Sequence, residues 1–468
     1  MNSQKSGSAP SVATANSSEY PGLPTPQRYY AVAAHLLSTL MCVLDASMIN
    51  VALPSMSEVL EINPSSAVWI VNAYGLVMVM VLLPFSSLVE RYGVKKIYTM
   101  GLCTFLVGSL ISASSIHLAM LLTGRVIQGV GAAALFCLSA GLIRSIYPTR
   151  LLSKGLGLIA MTVATGSVIG PSLGSVILTL AGWRWIFISM IPLGVFIFFL
   201  RHNLPPSKLY KRPFDLRSAA QCAAGIGCLI LGLDFLVTYT WQSVVLLCLS
   251  AVLMIDLTRR SAQQTAPLFP VDLLKIRPFR YAIAASKLTF AAQMAAFVSM
   301  PFFLQITLGR SQLTLGWIMA GWPLGAGVMA MVAGFLADRY AIPLLCAMGA
   351  GCMALGTLAI ALMNPQVDDI WIFLCMVVCG VGFGFFQTPN NRVLLTAAPR
   401  ERSGALGGTQ AVTRVLGQTI GAAIVAGAFA LGAGKGPTYG IFVSVIFASL
   451  AVALNVYRQI GLSKNEMA

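Results

Sequence analysis

An acid and a base stand inside long apolar runs of this chain, where ionised side chains are costly and point to function. Asp45 lies in Leu44-Asp45-Ala46-Ser47-Met48-Ile49-Asn50-Val51-Ala52-Leu53-Pro54, and Arg125 in Arg125-Val126-Ile127-Gln128-Gly129. If both runs are helices crossing a bilayer, the rise per residue puts Asp45 about 13 Å below Pro54 and Arg125 about 10 Å below the start of its own run. At such similar depths the two can share one polar pocket. Burial penalises an ionised carboxylate, whereas a neighbouring guanidinium favours it. A pair of this kind can release a proton when a cationic ligand arrives. It can equally be a fixed ion pair bracing two helices.

Other polar groups within or at the ends of apolar runs are candidates to line a cavity: Asn50, Asn72, Tyr74, Gln128, Gln293, Gln387, Asn390 and Arg414. Arg414 stands twelve residues beyond Arg402, too deep to be a simple anchor at the membrane surface. It faces a cavity, or it finds a backbone carbonyl or a polar partner such as Gln387. Lys287, seven residues from Arg280, can extend its stem to the interface, and Asp234 can reach outward in the same way. His35, His117 and His202 fall near the ends of runs and receive no role in proton transfer. Met and aromatic residues nearby (Trp69, Met78, Phe290, Met294, Phe297) suit an adaptable apolar pocket.

The elements that must position these groups follow from composition. Of 468 residues, 57% are hydrophobic and 9% charged, and mean hydropathy is +0.83. Soluble domains carry about 25% charged residues, so the chain is an integral membrane protein. Fourteen apolar runs approach the roughly 20 residues that cross a bilayer: 31–53, 67–88, 97–116, 118–143, 156–181, 185–200, 218–238, 242–258, 281–307, 315–337, 342–363, 369–391, 405–430 and 438–458. The seventh and eighth are short, and twelve spans would remain without them. Either even count puts both termini on one side.

The net charge of +16 reports that side. With cytoplasmic termini, 24 of the 30 Lys and Arg residues fall on the inner face, as the positive-inside rule requires. The total therefore gives no support for a nucleic-acid partner. Residues 1–28 read as a disordered cytoplasmic tail, because they are polar and lack the apolar core of a signal peptide. The ten Cys fall in spans, and Cys375 and Cys379 lack the further ligands of a zinc site. No phosphate-binding loop, nucleophile elbow or dinucleotide fingerprint is present. No cofactor, metal or enzymatic activity is expected, and energy must come from an ion gradient.

A weak internal repeat divides the chain. Ser86-Ser87-Leu88-Val89-Glu90-Arg91-Tyr92 follows the second span, and Gly334-Phe335-Leu336-Ala337-Asp338-Arg339-Tyr340 follows the tenth. Gly129-Val130-Gly131 and Gly380-Val381-Gly382 form a second echo. The expected organisation is a six-helix half at 29–200, a loop with two spacer helices at 201–260, a second half within 261–460, and a tail at 461–468. Such repeats are a signature of secondary transporters, whose sites lie between the halves.

With these motifs in order, the chain resembles the major facilitator superfamily, and within it the fourteen-helix drug:proton antiporters. The Asp45 run looks like that branch's first-helix motif. Ser86 to Lys96 is similar to the loop pattern Gly-x-Leu-x-Asp-Arg-x-Gly-Arg-Lys, departing at Ser86, Glu90 and Val94 and keeping Arg91, Gly93 and Lys95. Arg125 to Gly129 matches a helix-four motif. Gly166, Gly170, Pro171 and Gly174 match the antiporter motif of helix five, with Ser175 in place of its last Gly. Gly182-Trp183-Arg184-Trp185-Ile186-Phe187 completes the likeness.

The resemblance implies two pseudo-symmetric six-helix halves plus two central helices, all α-helical. It also implies alternating access that exchanges protons for amphipathic, cationic, drug-like molecules, with Asp45 coupling and Arg125 tuning. In the outward-facing state Glu90, Arg91 and Lys95 would latch one half to the other, with Asp338 and Arg339 as their counterpart, and helix five, which carries the Gly166 row, would line the interface between halves. A monomer in the cytoplasmic membrane is expected, with lipid, protons and a small molecule as partners. Transport of an endogenous metabolite in either direction, and a sensor that binds without turnover, are the alternatives.

Overall fold

The computed structural model describes residues 22–148, 151–206, 215–235, 239–263, 273, 275–396, 403–431 and 435–466. The expected tail therefore lies outside the described residues up to position 21. Among the described residues the chain forms α-helices and no strand. The helices are α1 Thr25–Val59, α2 Pro64–Tyr92, α3 Val94–Ala113, α4 Leu118–Phe136, α5 Ser139–Ile146, α6 Leu152–Ala181, α7 Arg184–Leu200 and α8 Leu216–Asp234. They continue with α9 Thr240–Gln263, α10 Arg277–Phe302, α11 Gln312–Leu336, α12 Ile342–Ala361, α13 Asp369–Thr396, α14 Ser403–Leu431 and α15 Gly436–Glu466. Fourteen stretches are long and apolar enough to cross a membrane. Helices suit that solvent because each satisfies its own backbone groups.

Local chemistry sets the boundaries. Pro residues occupy the first turns of α1, α2, α10 and α12, where a missing N–H costs nothing. The Ser311 hydroxyl caps α11 by accepting from the Thr314 N–H, and Asp215 caps α8 through Ser218. Gly93 joins α2 to α3 at φ +84°, a conformation that disfavours any residue with a Cβ. The run expected at 118–143 is broken after Phe136, so one crossing is built from α4 and α5. Past Pro301, α10 passes into a π turn at Phe303–Thr307. At the other end of the chain, α15 remains helical to Glu466, within the stretch expected as a tail.

Helices α1–α7 form one bundle and α10–α15 another. The main pairings that join them are α2 against α14 and α6 against α11, with smaller contacts of α1 on α10 and α5 on α14. The spacer helices pair with each other, and α8 rests on both α2 and α14. Hydrogen bonds that cross between bundles among the described residues include Ser65 Oγ to Ala426 O at 3.0 Å, Gln312 Nε2 to Val51 O at 3.1 Å, and Ser172 Oγ to Gly316 O at 3.4 Å. All three lie toward the α1–α2 turn, on the face opposite the N-terminus of α1.

The fifth span, α6, meets α11 of the second bundle, while its glycine row faces its own bundle. A Cβ at Gly166, Gly170 or Gly174 would strike Leu40 and Val43, Ser47, or Met48, so this row packs α6 onto α1 within the first bundle. The contact between bundles is made by the neighbouring face of α6, where Ser172 and Ser175 meet Gly316. Ser175 replaces the glycine of the helix-five pattern, and Gly316 supplies the missing space. Pro171 contributes its carbonyl to the same contact. Gly417 and Gly421 pack on α10, and Gly321 and Gly325 on α13. Each of these rows serves close packing inside one bundle.

Candidate functional site

Asp45 and Arg125 meet. Arg125 Nη1 lies 2.7 Å from Asp45 Oδ2, and the two side chains are 0% and 1% exposed. The same Nη1 donates to Gln128 Oε1 at 2.8 Å, while Arg125 Nε donates to Ile70 O of α2 at 3.0 Å. Gln128 Nε2 donates to Asp45 Oδ1 at 3.2 Å and to Ser109 Oγ of α3 at 2.8 Å. The guanidinium also stacks 4.4 Å from the centroid of Tyr74. Four helices thus converge on one carboxylate.

Sequence explains how they come so close. Arg125 and Gln128 are one turn apart on α4 and share a face. A Cβ at Gly108 would lie 2.6 Å from Gln128 N, so only glycine lets α3 approach closely enough for Ser109 to reach Gln128. Buried charges are tolerable when paired and hydrogen-bonded, and both conditions hold here. A proton arriving at Asp45 would remove the charge that holds Arg125 and Gln128 in place. Four helices would then lose a common anchor, which is how a protonation event can become a packing event.

The remaining candidates separate. Tyr74 belongs to the Asp45 cluster, as does Gln128. Asn50 Nδ2 donates to Ala46 O within α1 at 3.0 Å. Asn72 is buried, with neither side-chain polar atom partnered among the described residues. Asn390 donates to Ala282 O at 3.1 Å and Ser286 Oγ at 2.7 Å, pinning α13 to α10. Gln293 is 3.5 Å from Gln418, and Gln387 is half-buried. Arg414 does not turn to Gln387. Its guanidinium lies 5.7 Å from the ring centroid of Phe136, across in the first bundle.

The loop motifs make contacts within one bundle. Lys95 donates to His202 O at 3.0 Å, and Arg91 lies over Tyr92. The side chain of Glu90 lies outside the described ones. Asp338 pairs with Arg392 at the end of α13, inside the second bundle, and Arg339 is exposed. Among the described side chains these contacts stay within one bundle, whereas the expected latch belongs to the outward-facing state.

Sequence reading missed three participants. Ser109 and the Ile70 carbonyl carry no signal, since one is an ordinary helix serine and the other is backbone. His35 did leave a signal. His35, Ser38, Cys42 and Asp45 recur at intervals of three, four and three, which is one face of a helix, and all four are buried. His35 is 0% exposed, with both ring nitrogens unpartnered among the described residues. A cleft of about 570 Å³ lined by Pro54, Glu58, Glu61, Phe302 and Gln305 opens at the α1–α2 turn, away from Asp45.

Comparison with known proteins agrees with this architecture. The family model described as Major Facilitator Superfamily matches residues 36–422. The uncharacterized transporter YebQ of Escherichia coli (strain K12) is 43% identical over 86% of this chain and 90% of its own. The riboflavin transporter RibZ of Clostridioides difficile (strain 630) is 27% identical over 86% and 89%. The multidrug resistance protein Stp of Mycobacterium tuberculosis (strain CDC 1551 / Oshkosh) is 27% identical over 83% and 73%. A crystal structure of the peptide transporter POT in complex with sulfate superposes with a TM-score of 0.73 at 14% identity, covering 95% of this chain and 97% of that one. Fourteen spans, two joined bundles and the matched family model lead to one conclusion: the chain belongs to the Major Facilitator Superfamily.

Proposed function

We propose that the protein is a proton-coupled secondary transporter that exports amphipathic small molecules across the cytoplasmic membrane by alternating access. The observation that carries this reading is the sealed Asp45–Arg125–Gln128 cluster, an acid held at the junction of four helices. Protonation of Asp45 releases Arg125 and loosens α1, α2 and α4 from one another. Re-formation of the pair returns the proton. The α1 face bearing Cys42, Ser38 and His35 leads from the carboxylate toward the N-terminal end of the helix and is the route along which protons approach. One proton crossing 100 mV supplies about 2.3 kcal/mol.

Export is supported by the multidrug resistance relative, and a broad apolar substrate range by the pairing of that name with a riboflavin transporter. The distribution of basic residues supports cytoplasmic termini. On that orientation the three hydrogen bonds between bundles lie on the outer side, and the molecule is closed outward. It works as a monomer, since both bundles and the cluster belong to one chain. In everted vesicles Asp45→Asn is expected to abolish proton-driven transport while the protein remains in the membrane. Normal proton-driven transport by this variant would overturn the proposal.

A further inference from the structure

The charge that remains free between the bundles is positive. Arg414 lies about 16 Å along α14 from Ser403, and Lys287 about 15 Å along α10 from Arg277, on adjoining helices. The two backbones touch there: a Cβ at Gly417 would lie 2.7 Å from Lys287 O. Neither cation has a carboxylate partner among the described residues, and both are half-buried rather than sealed. Between positions 281 and 460 the acids are Asp338, Asp368, Asp369 and Glu401, none of them in the interior of a span, since Asp369 is the first residue of its own. Asp338 is taken by Arg392 and Asp369 by Arg310. The charge of Asp45 is already neutralised by Arg125 at 2.7 Å, so the pair leaves no net negative charge for Arg414.

A guanidinium at this depth without an anion is costly. What it has is the Phe136 ring, 5.7 Å away on the opposite bundle. One turn on from Arg414, Gly417 packs against Phe290 of α10, which meets Phe383 of α13 edge-on. Arg414 therefore presents a planar five-donor cation beside the Phe136 ring at the junction of the bundles. A carboxylate on an aromatic or amphipathic body is the chemistry that fits it, because guanidinium matches a carboxylate with two parallel hydrogen bonds.

We infer that Arg414, supported by Lys287, binds an anionic group of the transported molecule, so that the substrate class is amphipathic carboxylates rather than cations. This rests on the transport reading of the cavity and is independent of the direction in which protons move. A bound carboxylate would replace the Phe136 contact, loosening one link between the bundles.

The test compares three matched probes on purified full-length protein: 1-naphthylacetate, its methyl ester, and 1-naphthylmethyl-trimethylammonium. The acid is expected to bind at least about tenfold tighter than the ester, as a charge-assisted hydrogen bond supplies. Arg414→Gln should bring acid and ester to equal affinity while leaving the ester unchanged, which also shows that the cavity is intact. Arg414→Lys should retain part of the preference. Equal binding of acid and ester, tighter binding of the ammonium, no binding of the acid, or a preference that survives Arg414→Gln would each overturn the assignment. Counterflow of the same probes in liposomes reports separately on transport. Binding without counterflow would retire the transport reading and leave the charge preference standing.

Discussion

The first and last groups of six helices share an architecture and treat charge in opposite ways. In the first bundle one acid and one base are sealed together, and every oxygen of Asp45 has a donor. In the second, Arg414 and Lys287 stand half-buried with no acid in the interior of any span to meet them. The first bundle holds a satisfied pair that a proton can break. The second holds an unsatisfied cation that a ligand can complete. Repetition of a fold thus leaves room for division of labour, because a buried charge behaves according to its partners and not its depth.

The contrast is sharpest in what truncation costs. Arg125→Ala leaves Asp45 buried and unpaired, and should destabilise the protein by about 3–5 kcal/mol. Arg414→Met removes an uncompensated charge, and should leave stability unchanged or raise it by about 1 kcal/mol. Thermal melting in detergent reads both, and equal losses would erase the distinction. Packing depends instead on the position within each bundle. Gly170→Ala drives a methyl into Ser47 and should cost about 1–3 kcal/mol. Gly327, with nothing within 4 Å of its Cβ position, should tolerate Ala with a gain of up to about 1 kcal/mol from helix propensity.

The smallest expected effects separate two serines with similar bonds. Ser109→Ala frees Gln128, and Ser286→Ala frees Asn390. Each should cost about 1 kcal/mol. Ser109→Ala should also shift the pH profile of transport, since Gln128 touches Asp45, whereas Ser286→Ala should not. A shift in both, or in neither, would remove the special standing of the first bundle.

Much of this was legible in the sequence. Runs of about twenty apolar residues admit one solution in a bilayer, so the fourteen spans followed. Charge is so sparse in them that Asp45 and Arg125, at matched depths, announced a meeting. What stayed hidden depends on neighbours that leave no pattern. Arg125 finds a backbone carbonyl, Gln128 finds one serine among several on α3, and Arg414 finds a ring on the other bundle. The burial of His35 also stayed hidden, because position along a helix does not give burial. At 35 residues α1 is longer than a bilayer needs, and its early turns are covered by α5 and the turn at Arg201–Asn203. The glycine rows were legible as close contacts, but which helix they meet is a tertiary fact.

The central claim is that the proton acts on Asp45. Reconstituted protein in liposomes separates exchange of substrate for substrate, which needs no proton, from accumulation driven by a pH gradient. Asp45→Asn is predicted to keep the exchange and lose the gradient-driven accumulation. Gradient-driven accumulation at the unmodified rate by Asp45→Asn would contradict the account.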